Sequence, residues 1–171
     1  MPELVAPSEA YKDSYIQAAR EFQAEGRHPE IQVSRLEADF GGFVRGLLSR
    51  TDPATLPPRY VPETILWLVE GGEFIGRVSI RHTLNEWLRT VGGHIGYEIR
   101  PSQRRRGYGT TILQLALPHA KALGLSRVLI TCDVTNIGSK KIIEHNGGQF
   151  ENAVDQPGDP VKKLRYWIDL T

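Results

Sequence analysis

An apolar, β-like segment that stops at a proline, a basic loop, two glycines one residue apart and then an apolar-periodic run constrain this chain more than any other feature. The stretch is Gly96-Tyr97-Glu98-Ile99-Arg100-Pro101-Ser102-Gln103-Arg104-Arg105-Arg106-Gly107-Tyr108-Gly109, followed by Thr110 to Leu123. It reads as strand, turn and helix. Gly107 and Gly109 let the backbone approach a ligand closely, and the free amides of the first helical turn point at that ligand with the positive end of the helix dipole behind them. Such a place suits an anion with several oxygens, a pyrophosphate above all.

The anion site must be local, because the chain as a whole is nearly neutral: 21 Lys and Arg stand against 20 Asp and Glu in 171 residues, a net charge of +1. That balance gives no sign of a nucleic-acid binder. Four of the basic residues fall between Arg100 and Arg106. The length suits one domain, residues 1–171, with a sizeable core. The single cysteine, Cys132, excludes an intrachain disulfide and a cysteine-based zinc site, and it lies in an apolar run where a small buried hydrophobe is expected. No metal is expected. Met1-Pro2-Glu3-Leu4 lacks a basic segment with an apolar core, and no apolar run reaches the ~20 residues that span a bilayer, so a cytoplasmic protein without a membrane partner is expected.

Along the chain, Leu4-Val5-Ala6 is a short β-like run, and a helix is predicted from Ser8, its cap, to Gly26. A second helix is predicted over Val33 to Ser49, weakened by Gly41-Gly42 and Gly46. Thr51 to Pro62, with four prolines, is a connecting loop whose Arg59 and Tyr60 could touch substrate. From Thr64 the period becomes two, and Gly71-Gly72 joins two strands into an antiparallel hairpin. Leu84 to Arg89 is the next connection. A strand over His94 to Arg100, a helix over Tyr108 to Leu123 containing Pro118, a buried strand over Arg127 to Val134 and a short helix over Ser139 to His145 follow. Gln149 to Val154 and Leu164 to Leu170 are the last strands, around the turn-rich Asp155 to Pro160. The order β-α-α-β-β-β-α-β-α-β-β, without repeats, predicts a mixed α/β sandwich of the α+β kind.

Arg104-Arg105-Arg106-Gly107-Tyr108-Gly109 resembles the Arg/Gln-x-x-Gly-x-Gly/Ala signature of the GNAT N-acetyltransferase superfamily. A second segment about thirty residues on, Asn136 to Gly148, is similar to the family's Asn-x-x-(small)-x-x-x-Tyr-Glu-x-x-Gly-Phe. The resemblance covers nearly the whole chain. It implies the GNAT fold, a mixed central sheet of about seven strands, splayed between the fourth and fifth, with helices on both faces. It also implies acetyl-CoA as co-substrate, its pantetheine arm lying in the splay. On this reading the amides from Arg104 through Thr110 wrap the pyrophosphate, Arg104 and Arg106 add charge-assisted bonds, and Ile99 and Arg100 offer backbone partners to the arm. Arg105, Gly107, Tyr108 and Gly109 belong to the same loop. Asn136 is similar to the asparagine that holds the arm, with Ser139 and Lys140 beside it; Asn136 as a plain helix cap and Lys140 as solvated surface remain the competing readings. The segment departs from the family in having Ile143 in place of the acid tyrosine and Gly148 in place of an aromatic residue.

Acetyl transfer to an amine needs a proton acceptor, because an alkylamine of pKa near ~10.4 is only about one part in a thousand neutral at pH 7. Glu98, first, and His94, second, lie four residues apart on the strand before the loop and so on one face. His82 is a third candidate. The expected function is an acetyl-CoA-dependent N-acetyltransferase acting on a primary amine of a small molecule or peptide. A non-catalytic acyl-CoA-binding sensor is the alternative. A nucleotide phosphotransferase comes third, since a Walker-type loop needs Lys-Ser/Thr after its glycine and Thr110-Thr111 follows Gly109. Glu25, Glu30, Glu37 and Asp39 are either an attraction for a cationic acceptor or ordinary surface. The free edge of a final strand leaves a homodimer open.

Overall fold

A computed structural model describes residues 1–171 and contains seven strands and five α-helices. The strands are β1 (Glu3–Val5), β2 (Glu63–Glu70), β3 (Glu73–Arg81), β4 (Ile95–Ile99), β5 (Arg127–Asp133), β6 (Gln149–Gln156) and β7 (Asp159–Asp169). The helices are α1 (Lys12–Ala24), α2 (Val33–Ala38), α3 (Phe40–Leu48), α4 (Tyr108–Ala122) and α5 (Ile137–His145). None is long and apolar enough to cross a membrane.

Strand order is β1-β2-β3-β4 in one sheet and β5-β7-β6 in another, where a single central sheet was expected. The two sheets meet at one point. His94 N–H donates to Leu129 O at 2.7 Å, and Leu129 N–H donates to His94 Nδ1 at 2.9 Å. Beyond it β4 and β5 form no ladder. Arg81 N–H donates to His94 O and Arg100 N–H to Ile75 O, so the even-numbered residues of β4 turn their main-chain groups to β3. By the alternation of an antiparallel pair, Ile95, Tyr97 and Ile99 turn theirs away from β3.

Alternation along β2 and β3 divides the core. Leu66, Leu68, Val78 and Ile80 pack with α4, α5 and the second sheet, whereas Ile65, Trp67 and Phe74 pack with α1, α2 and α3. Trp67 is fully buried and stacks on Tyr15 at 4.8 Å. Its indole N–H has no partner.

Several boundaries differ from those read off the sequence. The segment predicted as one helix over Val33–Ser49 is broken at Asp39, whose backbone leaves the helical region (φ −148°, ψ 69°) and whose carboxylate caps α3 by accepting from Gly42 N–H at 2.9 Å. A Cβ at Gly42 would lie 2.2 Å from the Asp39 carboxylate, so the glycine that weakens a continuous helix is what lets the cap close. Ser8 does cap, accepting from Ala10 N–H, but it opens a 3₁₀ turn (Glu9–Tyr11) ahead of α1. α5 begins two residues earlier than expected because Asn136 is its cap. The last hairpin is longer, closing on Pro157-Gly158 with Gln156 paired to Asp159. A π-helical turn (Leu88–Gly92) occupies the connection before β4.

The His94 junction carries a pH signature. Burial first, then Arg89 and Arg81, push the His94 pKa down from 6.5 to about 4. The unfolded chain takes up this proton near pH 6.5 and the native one only near pH 4, so the stabilising contribution is whole above that window and is lost as pH falls through it. His94→Asn keeps an acceptor for Leu129 N–H and removes the titration. Urea unfolding between pH 6.5 and 4 should show the parent losing up to ~1.4 kcal/mol more per pH unit than the variant. Parallel slopes would show that His94 does not titrate this way.

Candidate active site

The chain before α4 is tied down from the far side of the sheet. Arg100, 5% exposed, donates through Nε to Glu21 Oε2 at 2.6 Å and through a terminal nitrogen to Ser14 Oγ at 3.1 Å. Glu21 Oε1 accepts from Ser102 N–H at 2.9 Å. Burial alone would raise the Glu21 pKa, but Ser102 and Arg100 outweigh it and hold this carboxylate below its usual range. Arg100 therefore anchors α1 to the loop, and its amide is spent on Ile75. That corrects its expected place beside the pantetheine arm. The main-chain groups of Tyr97 and Ile99 turn away from β3, and the Ile99 carbonyl accepts from Arg104 Nε at 3.3 Å.

Past the anchor the loop bends through left-handed positions at Arg105 (φ +62°) and Gly107 (φ +82°), and α4 starts at Tyr108. The first bond of the helix runs from Thr111 N–H to Gly107 O, which leaves the amides of Arg105 to Thr110 without protein acceptors. Alternating backbone hand and free amides make a concave anion seat. Arg104 N–H is outside that set, since it donates to Pro101 O. Gly109 has a packing role as well, because a Cβ there would meet Ile142 Cδ1 of α5 at 2.5 Å.

A cavity of about 460 Å³ opens beneath this seat, lined by Glu98, Ile99, Arg104, Arg105, Tyr108 and Gly109 on one side and by Asn136 and Ser139 on the other. Predicted residues from two distant segments thus line one cavity. Asn136 accepts from Ser139 N–H at 3.0 Å, so it is a helix cap that also lines the cavity. His94, Arg100, Arg106, Gly107, Thr110 and Lys140 do not line it. Arg106 reaches Gln103, and Arg104 is held by Glu25 at 2.7 and 3.0 Å.

Tyr97, given no role by the sequence, joins the site through a partner 42 residues away. Its hydroxyl is 2.8 Å from Ser139 Oγ. Tyr97, Asn136 and Ser139 line both the cavity under the seat and a second space of about 300 Å³ between β4 and β5. Burial, aided by Cys132 and opposed by the Ser139 hydrogen bond, holds the Tyr97 phenol above its ordinary value, so it keeps its proton at neutral pH. Ile143 is fully buried, and a Cβ at Gly148 would meet its Cγ2 at 2.5 Å; each accounts for the other.

Glu98 joins the cofactor-side cavity to an apolar pocket of about 200 Å³ walled by Tyr15, Phe22, Phe43 and Trp67. Its carboxylate, 13% exposed, meets His28 Nε2 at 2.9 Å, Arg27 at 2.6 Å and Arg77 at 3.6 Å. His94 is differently placed: its Nδ1 lone pair accepts from Leu129 N–H, which leaves the ring without a free lone pair in its neutral form. His82 lies against Thr64 Oγ1 at 2.7 Å, at the far end of β3.

The family model described as an acetyltransferase (GNAT) domain matches residues 42–149. Among solved structures, RimL, a ribosomal L7/L12 α-N-protein acetyltransferase in complex with coenzyme A, superposes with TM-score 0.70 at 17% identity over 98% of this chain and 93% of its own. The microcin C7 self-immunity acetyltransferase MccE, in complex with acetyl-CoA and AMP, gives 0.70 at 16% over 98% and 92%. Mycobacterium smegmatis RimJ, with a CoA disulfide, gives 0.70 at 18% over 97% and 80%. At these identities the likeness is one of fold. No curated protein matches by sequence.

Proposed function

The chain belongs to the GNAT acetyltransferase family, and from that premise we propose that it transfers the acetyl group of acetyl-CoA to a primary amine by direct attack within a ternary complex. The observation that carries the reading is the run of free amides from Arg105 to Thr110, of which Arg105, Tyr108 and Gly109 line a cavity that shares Tyr97 and Ser139 with the gap between β4 and β5. It fits the donor's pyrophosphate at the seat and its pantetheine arm along the outward-facing main chain of Tyr97 and Ile99. The donor supplies the activated acetyl thioester. The family match to an acetyltransferase domain does not favour a purely non-catalytic sensor.

In this reading Glu98 takes the proton of the attacking amine, directly or through water, since it is the carboxylate lining both the apolar pocket and the cofactor-side cavity. Tyr97 offers its phenolic proton to the departing sulfur while Ser139 fixes the hydroxyl. This places on β4 a role that Ile143 cannot fill. Tyr97→Phe should lower turnover about a hundredfold with acetyl-CoA affinity kept. Ile143→Val should cost roughly 0.5 to 1.5 kcal/mol of stability and leave turnover within a few-fold. The reverse pattern, a silent Tyr97 and a critical Ile143, would remove the acid role from Tyr97 and make the packing of α5 part of the chemistry.

The test of the activity itself is amine-dependent release of free thiol from acetyl-CoA. Saturable acetyl-CoA binding with no thiol released across primary amines of small molecules and peptides would identify a sensor.

A further inference from the structure

The acidic residues that might have drawn in a cationic amine are already engaged. Glu25 holds Arg104, Glu37 holds Arg20, Glu30 faces His28, and Asp39 caps α3. Next to the apolar pocket lies the opposite kind of surface. A cavity of about 620 Å³ is lined by Arg50, Arg59, Arg77 and Arg81 with Glu63 as its one carboxylate. The volume is that of a small-molecule site.

The register builds this cavity. Glu63 pairs with Arg81 and Trp67 with Arg77 across β2 and β3, and Arg77 pairs with Glu98 across to β4, so these side chains share one sheet face. Glu63 does not cancel the charge so much as arrange it. Its carboxylate accepts from Arg50 Nε at 2.5 Å and from Ser79 Oγ at 2.6 Å, and it lies 3.8 Å from Arg81. Arg59 has no side-chain acceptor, and its left-handed backbone (φ +75°) is held where Asn85 Nδ2 donates to its carbonyl at 3.0 Å. Strain of that kind persists only where the surroundings enforce it. Arg81 and Trp87 also line the gap between β4 and β5, so the cavity communicates with the place where the thioester would lie.

We infer that the cavity is an acceptor subsite for an anionic group, so that the amine acetylated here is a small molecule carrying a phosphate or carboxylate. Arg59 receives that group, and the amine projects past Arg77, which lines this cavity and the apolar pocket alike, toward Glu98. This inference rests on the acetyl-transfer reading above and narrows its substrate class.

The test uses the full chain and four amines: ethanolamine, O-phosphoethanolamine, β-alanine and 1,3-diaminopropane. Thermal shifts are recorded with and without acetyl-CoA, and thiol release is followed in parallel. O-phosphoethanolamine or β-alanine should stabilise the acetyl-CoA-loaded protein saturably, and the stronger of the two shows whether phosphate or carboxylate is preferred. Ethanolamine should not, and Arg59→Gln should weaken the anionic amine by about tenfold while acetyl-CoA still stabilises the variant. Equal response to ethanolamine, preference for 1,3-diaminopropane, no response to either anionic amine, or indifference to Arg59→Gln would overturn the subsite. If the anionic amine binds but no thiol is released, the subsite stands and the transfer reading fails.

Discussion

Gly107→Val should give a folded protein that acetyl-CoA no longer stabilises. Gly107 holds φ +82° with nothing within 4 Å of where a Cβ would stand, so the substitution meets strain and no steric clash. A left-handed L-residue costs roughly 1–2 kcal/mol, more for a β-branched one. The segment escapes that cost by rotating to negative φ, which turns the neighbouring amides off the anion seat. Losing two charge-assisted bonds of roughly 1.5–3 kcal/mol each weakens binding by more than about a hundredfold. Gly124 supplies the control. It holds φ +90° after α4 with open space around it, so Gly124→Val carries the same strain far from the seat. Thermal titration should show both variants destabilised alike, with the acetyl-CoA shift lost only at Gly107. A full shift at Gly107→Val would remove the pyrophosphate from this loop.

That seat was legible because everything that makes it is local. Two glycines, three arginines and a helix start lie within seven residues, and residue types alone imply a turn, a positive φ and free amides. The helices and the hairpin at Gly71-Gly72 were legible for the same reason, through periodicity and turn chemistry. The sequence was silent wherever a partner lies far along the chain. Arg100 looked like a cofactor contact until its acceptor proved to be Glu21, 79 residues away. Glu25, Glu30, Glu37 and Asp39 looked like free charge until each had a partner. Tyr97 was hidden because a half-buried strand residue has the same pattern whether its hydroxyl is idle or bonded to Ser139. The arginine cavity was hidden by register, since nothing local says that Glu63 stands opposite Arg81.

Glu98→Gln should lower turnover by about 10² or more and change its dependence on pH. An alkylamine of pKa near ~10.4 arrives charged, so without a protein base the rate follows the neutral fraction and climbs about tenfold per pH unit. With Glu98 in place the proton has an acceptor at the junction of the two cavities, and the profile between pH 6 and 9 is flatter. The contacts of Glu98 with His28, Arg27 and Arg77 suggest a competing role, that of holding these three side chains in place. The pH profile separates the two. Gln keeps the shape and one accepting oxygen, so a purely positioning residue would shift KM and leave the slope of kcat with pH unaltered. A base would lose kcat most at pH 6 and least at pH 9. His94 is a poor substitute, because taking up a proton would break its bond from Leu129 N–H at the one place where the two sheets join. Unchanged turnover from pH 6 to 9 in Glu98→Gln would therefore pass the proton to water in the gap between β4 and β5, and leave Glu98 as the fastening of Arg27, His28 and Arg77.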